Sequence, residues 1–462
     1  MNNDDVLSPL DGRYQKQVEA LAQVCGARAF AAARVRAEVA WLLTLNELHL
    51  FAPLPKAALT LLDKLPHLTE KDLQTLDAIE KVGSARRPAT RHDVKAVEYF
   101  VADQLAAHRL QTYTSWVHFA LTSEDINSAA YAQLLSDAVG VILPQLEMLR
   151  KNLAVLARKY AGAILLARTH GQPAVPTTFG RELRVFENRL ARQLAQLKAQ
   201  QISCKFGGAV GAYNAHVAAF PSVNWTGAAK SWVKKLNQGR KTKISLSPIS
   251  TQIDPRDSYA ELFDTLRRIH IILLGLSRDM WQYISSGLVK QKAVSTEVGS
   301  STMPQKINPI DFENAEGNLG LANALLTFFS EKLPLSRLQR DLSDSTVLRN
   351  IAVAFGHGVV AYQGLLKGLA KITFDTAAAR EELAAHPEVL AEAYQILLRA
   401  AGVPNAYEQV KDLIRGHSVT QEDLEQFVQK LQVPKTTKQK LLALTAGQYI
   451  GLAQKQARGE YD

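Results

Sequence analysis

The amino-acid sequence predicts a nearly all-helical protein, and three observations support this prediction. Long stretches of the 462-residue chain are rich in Ala, Leu, Gln, Lys, Arg and Glu, which favour helices. Short runs that alternate β-branched with polar residues, the usual mark of strands, are few. In several stretches the apolar residues recur every three or four positions, as they do on one face of a helix.

The clearest predicted helix covers residues 257–292. Its apolar positions lie three or four residues apart: Leu262, Leu266, Ile269, Leu273, Leu276, Met280, Ile284 and Gly287. A helix of about 36 residues would be about 54 Å long, longer than an ordinary domain requires. Helices of this length usually pack in bundles, which are often shared between subunits. We therefore expect the stripe to be too extended for one subunit to cover, and we expect a homotetramer.

Four further long helices complete the predicted core. They cover residues 130–160, 178–202, 310–332 and 345–371, with Pro144 and Pro334 within or beside them. The pattern predicts an N-terminal helical domain over residues 1–112, a central bundle of long helices over 113–369 and a C-terminal helical domain over 370–462. Residues 207–243, rich in Gly, Ser, Asn and aromatic residues, are predicted to form a long irregular excursion.

Composition narrows the class of protein. The chain is 47% hydrophobic and can bury a large core, but its longest apolar runs fall far short of the roughly 20 residues that cross a bilayer. Its start is acidic, unlike a signal peptide. Cys25 and Cys204 are the two cysteines, too few for a disulfide framework or a cysteine-ligated zinc site. These features predict a cytoplasmic protein that binds no membrane.

The formal net charge of +10 suits nucleic acid, an acidic surface or a polyanionic small substrate. The basic residues are dispersed among acids along helical segments, and no dense basic tail or aromatic-basic stacking motif is present. We therefore expect no nucleic-acid partner.

A loop between two predicted helices, residues 298–314 (VGSSTMPQKINPIDFEN), is one candidate for chemistry. Its Gly299, paired serines and prolines cannot continue a helix and suit a mobile lid. The alternative is an ordinary connecting loop. A serine hydroxyl is a poor base until its alkoxide is stabilised, and Lys306 with loop amides could do so once water is excluded. The absence of a G-x-S-x-G motif argues against a serine hydrolase.

A second candidate is His170, in the stretch ARTHGQPAVPTTFG of residues 167–180. The prolines predict a rigid turn ahead of a helix, and a helix start also favours anionic ligands. A single histidine is more often structural than catalytic, so that alternative stays open. Two further clusters, TRHDVKAVEYF and HFALTSEDINS, have residues that suit either binding or helix capping. The chain has no metal-ligand spacing, Gly-rich phosphate loop or dinucleotide motif, which predicts a reaction without metal or cofactor.

Taken together, these segments resemble the fumarase and aspartase superfamily, whose members cleave C–N or C–O bonds and release fumarate. The loop GSSTMPQKINP is similar to the superfamily signature. Eight segments are similar, in the same order from about residue 8 to beyond 450, to the bacterial adenylosuccinate lyase family: SPLDGRY, HDVKAVEYF, HFALTSEDINS, RTHGQPA, GAVGAYNAH, STQIDPRDSYAELFD, SSTMPQKINPIDFENAEGNLG and RLQRDLSDSTVLRN.

The resemblance implies an all-α, three-domain fold and a β-elimination that needs no cofactor. It implies that Ser300, as alkoxide, takes a proton from carbon, that Lys306 with nearby amides stabilises the intermediate, and that His170 protonates the departing nitrogen. The implied substrates are adenylosuccinate and the succinylated imidazole carboxamide nucleotide of purine synthesis. It also implies a homotetramer in which His170 and Ser300 reach one active site from different subunits.

By motif position, the resemblance assigns two groups of binding residues. The phosphate end of the nucleotide would be held by Arg13, Tyr14, Ser345, Thr346, Val347, Leu348 and Arg349. The succinyl group and base would be held by Arg91, His92, Asp93, Thr122, Ser123, Gln252, Ser301, Lys306, Ile307, Asn308, Asn314 and Arg340. Ile307 would contribute through its backbone alone.

Three rival functions would each be distinguished by a different feature. Another fumarate-releasing lyase, argininosuccinate lyase in particular, would need no phosphate site. A catalytically silent helical scaffold would be favoured by loss of His170 or Ser300, and both are present. A nucleic-acid-binding protein would retard DNA or RNA in a gel at moderate salt.

Overall fold

The computed structural model describes residues 6–84, 87–292, 303, 305–415 and 419–460. Most of them lie in α-helices: α1 Gln15–Cys25, α2 Ala27–Glu47, α3 Lys56–Lys64, α4 Glu70–Lys81, α5 Asp93–Ala107, α6 Ser123–Lys159, α7 Phe179–Ala199, α8 Asn214–Ala219, α9 Trp225–Leu236, α10 Asp257–Ser285, α11 Ile310–Lys332, α12 Ser343–Leu348, α13 Ile351–Lys371, α14 Thr376–Ala384, α15 Ala391–Ala400, α16 Ala406–Ile414, α17 Gln421–Lys430, α18 Lys435–Ala443 and α19 Ala453–Arg458. Two 3₁₀ helices cover Gln111–Trp116 and Pro387–Leu390. The predicted helical class is confirmed.

Short strands pair into two-stranded sheets between the helices. They are β1 Gly83–Ser84, β2 Arg87–Pro88, β3 Ile164–Thr169, β4 Gln172–Thr178, β5 Gln201–Cys204, β6 Lys243–Leu246, β7 Val289–Gln291 and β8 Ile372–Phe374. The pairs β1–β2, β3–β4 and β7–β8 are antiparallel, and β5–β6 is parallel. The strands are too short to build a core of their own, and they connect or follow helices.

The helix predicted at residues 257–292 begins where expected but ends earlier, at Ser285. Gly287 has φ +78°, a left-handed conformation that ends a helix, and β7 follows. The expectation that one chain cannot cover the apolar stripe is wrong. Six of its eight positions, Leu262, Leu266, Ile269, Leu273, Leu276 and Met280, are at most 2% exposed within the single chain, because other parts of the same chain cover them. Ile284 is half-buried and Gly287 is exposed.

The other long helices lie close to their predicted positions. Helix α11 has the predicted bounds, and Pro334 lies just beyond its end. Helix α6 begins at Ser123, seven residues before the predicted start, and continues through Pro144. The helix predicted at residues 345–371 is two helices, α12 and α13, separated by Arg349 and Asn350.

Residues 207–243 are more regular than the composition predicts, because they contain α8 and α9. Helix α9 is capped by Asn224, whose side chain accepts a hydrogen bond from the Gly227 N–H at 2.9 Å. It buries Trp225 and Trp232 on one face. The prediction of an irregular excursion is therefore wrong for this helix, since the buried tryptophans stabilise it by burying large apolar surfaces.

The chain forms two compact units. The first comprises residues 1–146, 193–271 and 317–363, and the second comprises 147–192, 272–316 and 364–462. The first contains an apolar cluster built largely from α2, α3 and α5, including Val35, Leu62 and Phe100. The second contains a cluster from the C-terminal helices, including Tyr394, Leu398 and Leu424. The division into three sequential domains stays a prediction.

Helix α6 is long and apolar enough, by length and composition alone, to cross a bilayer. However, 67% of its most apolar window is buried inside the chain. That degree of burial is typical of the core helix of a folded protein.

Candidate active site

A polar cavity of about 510 Å³ in the first unit brings many of the predicted residues together. The predicted residues that line it are Arg91, His92, Asp93, Thr122, Ser123, Gln252, Arg340, Ser345, Leu348 and Arg349. They come from four separate stretches of the sequence, at the starts of α5 and α6, before α10, and around α12. The motifs that are far apart in the chain therefore meet at one cavity.

His92 and Ser123 join two of these stretches. His92 is the N-cap of α5, and its Nδ1 accepts a hydrogen bond from the Lys95 N–H at 3.3 Å. With Nδ1 accepting, the proton of a neutral His92 ring is on Nε2, which lies 3.3 Å from the Ser123 Oγ. Nε2 then donates to the serine oxygen, so the capping contact fixes the orientation of both side chains.

Arg34 and Asp93 form a partly buried ion pair at the cavity wall. The Arg34 Nη2 lies 2.5 Å from the Asp93 Oδ2, and the Arg34 Nε donates to the Asn127 Oδ1 at 2.9 Å. Burial by itself raises the pKa of Asp93, but the charge and hydrogen bond of Arg34 outweigh burial and lower it. Asp93 is therefore a carboxylate at neutral pH.

Glu124 contacts two arginines, Arg340 of the cavity and the buried Arg256. Its Oε1 lies 3.2 Å from the Arg340 Nη1 and accepts a hydrogen bond from the Asn127 Nδ2 at 3.1 Å. Its Oε2 lies 3.5 Å from the buried Arg256, which also pairs with Asp344. A buried carboxylate that binds several donors holds each of them in one orientation.

Asp125, the residue after Glu124, forms a fully buried ion pair that fixes the start of α6. The Lys205 Nζ is 2.7 Å from the Asp125 Oδ1, and both side chains are 0% exposed. The Asp125 carboxylate also accepts hydrogen bonds from the backbone N–H groups of Thr122, Gly207 and Gly208 at 2.7, 3.0 and 3.1 Å. Asp125 therefore binds the backbone at the start of α6 through the Thr122 N–H, and the same carboxylate holds the glycine loop of the GAVGAYNAH segment.

Sequence reasoning missed several residues that line the same cavity: Arg34, Glu80, Glu124, Asn127, Tyr131, Leu342 and Asp344. Glu124 and Asn127 lie inside the HFALTSEDINS motif, and Leu342 and Asp344 lie beside the predicted Ser345, so motif position could have found them. Burial raises the pKa of Tyr131 to about 12. Its phenol therefore stays protonated at neutral pH.

The predicted general acid, His170, lies in the second unit at the tip of the β3–β4 hairpin. His170 and Gly171 have φ values of 53° and 74°, as in a two-residue type I′ turn. The expected turn is present, but its expected position at a helix start is wrong, because the chain forms a second strand, β4, before α7 begins at Phe179. The His170 side chain is exposed.

The remaining predicted residues lie elsewhere or outside the described residues. Arg13, Tyr14, Thr346 and Val347 are described but do not line the cavity. Lys306, Ile307, Asn308 and Asn314 belong to the second unit, where the Ile307 carbonyl accepts a hydrogen bond from the Gln291 Nε2 at 3.3 Å. Ser300 and Ser301 lie outside the described residues.

Comparison with known proteins identifies the family. Residues 12–323 match the lyase family model, and residues 336–450 match the model of the adenylosuccinate lyase C-terminal region. The chain is 43% identical over 455 residues to adenylosuccinate lyase of Legionella pneumophila (strain Corby), covering 97% of each chain. It is 42% identical over 453 residues to adenylosuccinate lyase of Escherichia coli (strain K12), covering 97% of this chain and 96% of the relative.

The chain belongs to the adenylosuccinate lyase family. Among solved structures, it shares its fold with a fumarate lyase from Mesorhizobium sp. BNC1, with a TM-score of 0.72 and 19% identity over 97% of this chain and 98% of that one. Members of the adenylosuccinate lyase family are lyases of the fumarase and aspartase superfamily, so the predicted superfamily and enzyme class are confirmed.

Proposed function

We propose that this enzyme eliminates fumarate from adenylosuccinate to give AMP, and from succinylaminoimidazole carboxamide ribotide to give aminoimidazole carboxamide ribotide, in purine biosynthesis. The observation that carries the proposal is the polar cavity, in which residues from four motifs converge in a chain similar over nearly its full length to adenylosuccinate lyases. The substrate would carry one phosphate and two carboxylates, which require several cationic and hydroxyl donors in one place.

Two arginines of the cavity support an anionic substrate. The half-buried Asp93 is paired with Arg34, and the buried Glu124 is paired with Arg256. The Arg340 side chain gives one nitrogen to Glu124 and is 21% exposed, and the Arg349 side chain is 67% exposed. Arg256 is shared between Glu124 and Asp344, and the Arg349 Nη2 lies 4.0 Å from the Asp93 Oδ2. The exposed parts of the Arg340 and Arg349 side chains can bind the carboxylates and phosphate of a substrate.

The reaction we propose is a β-elimination. The Ser300 alkoxide removes the proton from the carbon beside a carboxylate, and Lys306 with nearby amides stabilises the resulting aci-carboxylate. The C–N bond then breaks, a C=C bond forms, and the electron pair of the broken bond goes to the departing nitrogen. His170 gives that nitrogen a proton. Fumarate and the nucleotide leave.

We also propose a cytoplasmic homotetramer with active sites shared between subunits. One face of α11 is exposed and consists mainly of apolar or small residues, and this face supports the proposed assembly. Leu321 and Phe328 are 56% and 50% exposed, and Ala324, Gly317 and Gly320 are also exposed. These positions repeat at helical spacing, and small residues allow another helix to approach closely. Both cysteines are free thiols, which fits a reducing compartment.

Absorbance spectroscopy tests the proposed substrate. Purified protein should convert adenylosuccinate to AMP and fumarate, and should leave argininosuccinate unchanged. Turnover of argininosuccinate alone would replace the proposed function with that of its closest rival. Absence of turnover with either substrate across a range of pH would contradict both.

Mixing two inactive variants tests whether the sites are shared. If His170 and Ser300 reach one site from different subunits, exchange between His170→Ala and Ser300→Ala proteins should restore roughly a quarter of the sites. Mass spectrometry would verify that subunits have exchanged. Full exchange without returning activity would contradict the shared site.

A further inference from the structure

The turn that carries His170 is braced by a charged pair within the second unit. The Arg168 Nη1 donates a hydrogen bond to the carbonyl of Gly171 at 3.3 Å, and the Arg168 Nη2 donates to the Glu382 Oε1 at 2.5 Å. Glu382 lies on α14, 214 residues further along the chain. One guanidinium therefore joins the hairpin turn to a helix of the C-terminal region.

The hairpin needs such a contact to hold its tip in one conformation. His170 has φ 53°, and a left-handed conformation costs a non-glycine residue about 1–2 kcal/mol. An isolated two-stranded hairpin is marginally stable in water. Strand β4 also contains Pro173 and Pro176, which have no backbone N–H to give to the strand pairing. The pairing alone therefore fixes the position of the tip poorly.

Helix α14 provides a fixed support for the brace. Leu383 packs with Leu166 of β3 and with Val389 in a buried apolar cluster. The side chain of Asp375 caps the helix by accepting hydrogen bonds from the N–H groups of Ala377 and Ala378 at 3.0 and 3.1 Å. A helix held at its start and along its buried face keeps the Glu382 carboxylate in place.

The negative charge of the Glu382 carboxylate is stabilised by Arg168. Its side chain is 20% exposed, and its Oε2 is buried and accepts no hydrogen bond in the part of the chain that the structure describes. A buried carboxylate oxygen without a donor favours a close cation, because desolvation would otherwise destabilise the charge. The contact with Glu382 therefore holds Arg168 in one orientation. Arg168 in turn donates a hydrogen bond to the Gly171 carbonyl, next to His170.

We propose that Arg168 and Glu382 are positioning residues for His170. Neither would touch the substrate. Together they would hold the turn so that the imidazole meets the departing nitrogen, and the proposal rests on the proposed role of His170 as general acid. Misplacement of a catalytic group by about 1 Å can cost about 10²-fold in rate, so loss of the brace should act on kcat more than on KM.

Steady-state kinetics of Glu382→Ala and Arg168→Met with adenylosuccinate test this inference. We expect kcat to fall by about 10- to 100-fold while KM stays within about threefold. The matched control is Glu381→Ala, which removes the same side chain from the exposed neighbouring position of the same helix and should keep the parent kcat. A kcat for Glu382→Ala within twofold of the parent's would overturn the inference.

The same change in a His170→Ala background distinguishes positioning from a general structural role. If Glu382 acts through His170, Glu382→Ala should lower the residual kcat less than about twofold there, because residues that act as a unit are not additive. Loss of the same factor in both backgrounds would overturn the inference. Should Glu382→Ala fail to fold by circular dichroism, Arg168→Met removes the same contact from the exposed hairpin side, and a parent-like kcat for it would also overturn the inference. A parent-like kcat for His170→Ala alone would instead overturn the proposed role of His170.

Discussion

The polar cavity and the His170 hairpin would carry the two parts of the proposed chemistry, and they are built differently. In the cavity, Arg34 and Glu124 are buried and each binds several partners from different segments. At the hairpin, His170 is exposed on a two-residue turn that one arginine braces. Groups that bind a substrate benefit from being held rigidly before it arrives, whereas a proton donor has to be presented at a surface where the substrate can meet it.

This difference has a consequence for substitutions. Substituting a charged residue of the cavity should affect folding as well as binding. The charged side chains there are partly buried and neutralise one another's charges. A change at the exposed hairpin tip should affect the reaction with little effect on stability. Three predictions test this contrast.

The largest expected effect is at the hairpin. His170→Ala should lower kcat by about 10²- to 10⁴-fold, the usual size of a general-acid contribution, and leave thermal unfolding nearly unchanged. The matched control is His49→Ala, since His49 is also exposed and also has a left-handed backbone, with φ 55°. Equal kcat values for the two variants would remove His170 from the mechanism.

A smaller effect is expected in the cavity. Arg340→Met should lower kcat/KM for adenylosuccinate by about 10- to 100-fold, because a hydrogen bond to a charged group contributes about 1.5–3 kcal/mol. Glu124 keeps its contacts to Arg256 and Asn127, so the variant should fold. Arg337→Met is the control, since Arg337 is 82% exposed and pairs only with the neighbouring Asp341 among the described contacts. A similar loss in both variants would argue against a specific role for Arg340.

The smallest expected effect is on stability. Arg34→Met should lower the free energy of unfolding at pH 7 by about 2 kcal/mol, because it breaks a partly buried pair. Arg28→Met is the control on the same helix. Its pair with Glu70 is 51% and 70% exposed and should contribute less than about 1 kcal/mol. Chemical denaturation would measure both values.

The pH dependence of the Arg34 effect has a defined sign. Arg34 contributes to a lowered pKa of Asp93 in the folded chain. The stabilisation is therefore fully present above the unfolded pKa of about 3.9 and is lost as pH falls through the lower, folded pKa. The stability difference between the parent and Arg34→Met should thus shrink below about pH 4. A difference that grows on acidification would contradict the pairing.

The sequence by itself determined the helical class and the positions of the long helices. Apolar residues at steps of three or four reveal a helix wherever it packs, and the predicted bounds of α11 are those observed. Motif position also predicted four of the segments that line the cavity, although Arg13 and Tyr14 of a fifth segment do not line it. Helix ends were harder to predict, because the end of α10 depends on the left-handed conformation of one glycine, Gly287.

Only the tertiary structure decided which side chains meet. Arg34 lies on an ordinary-looking helix, and its role at the cavity depends on Asp93, 59 residues away. The strand that places His170 at a hairpin tip depends on the pairing of β3 with β4. The apolar stripe of α10 is covered within the chain although its length predicts otherwise. The physical reason is that helical periodicity is set by neighbours a few residues apart, whereas burial and ion pairing are set by residues that are far apart in sequence and that packing brings together.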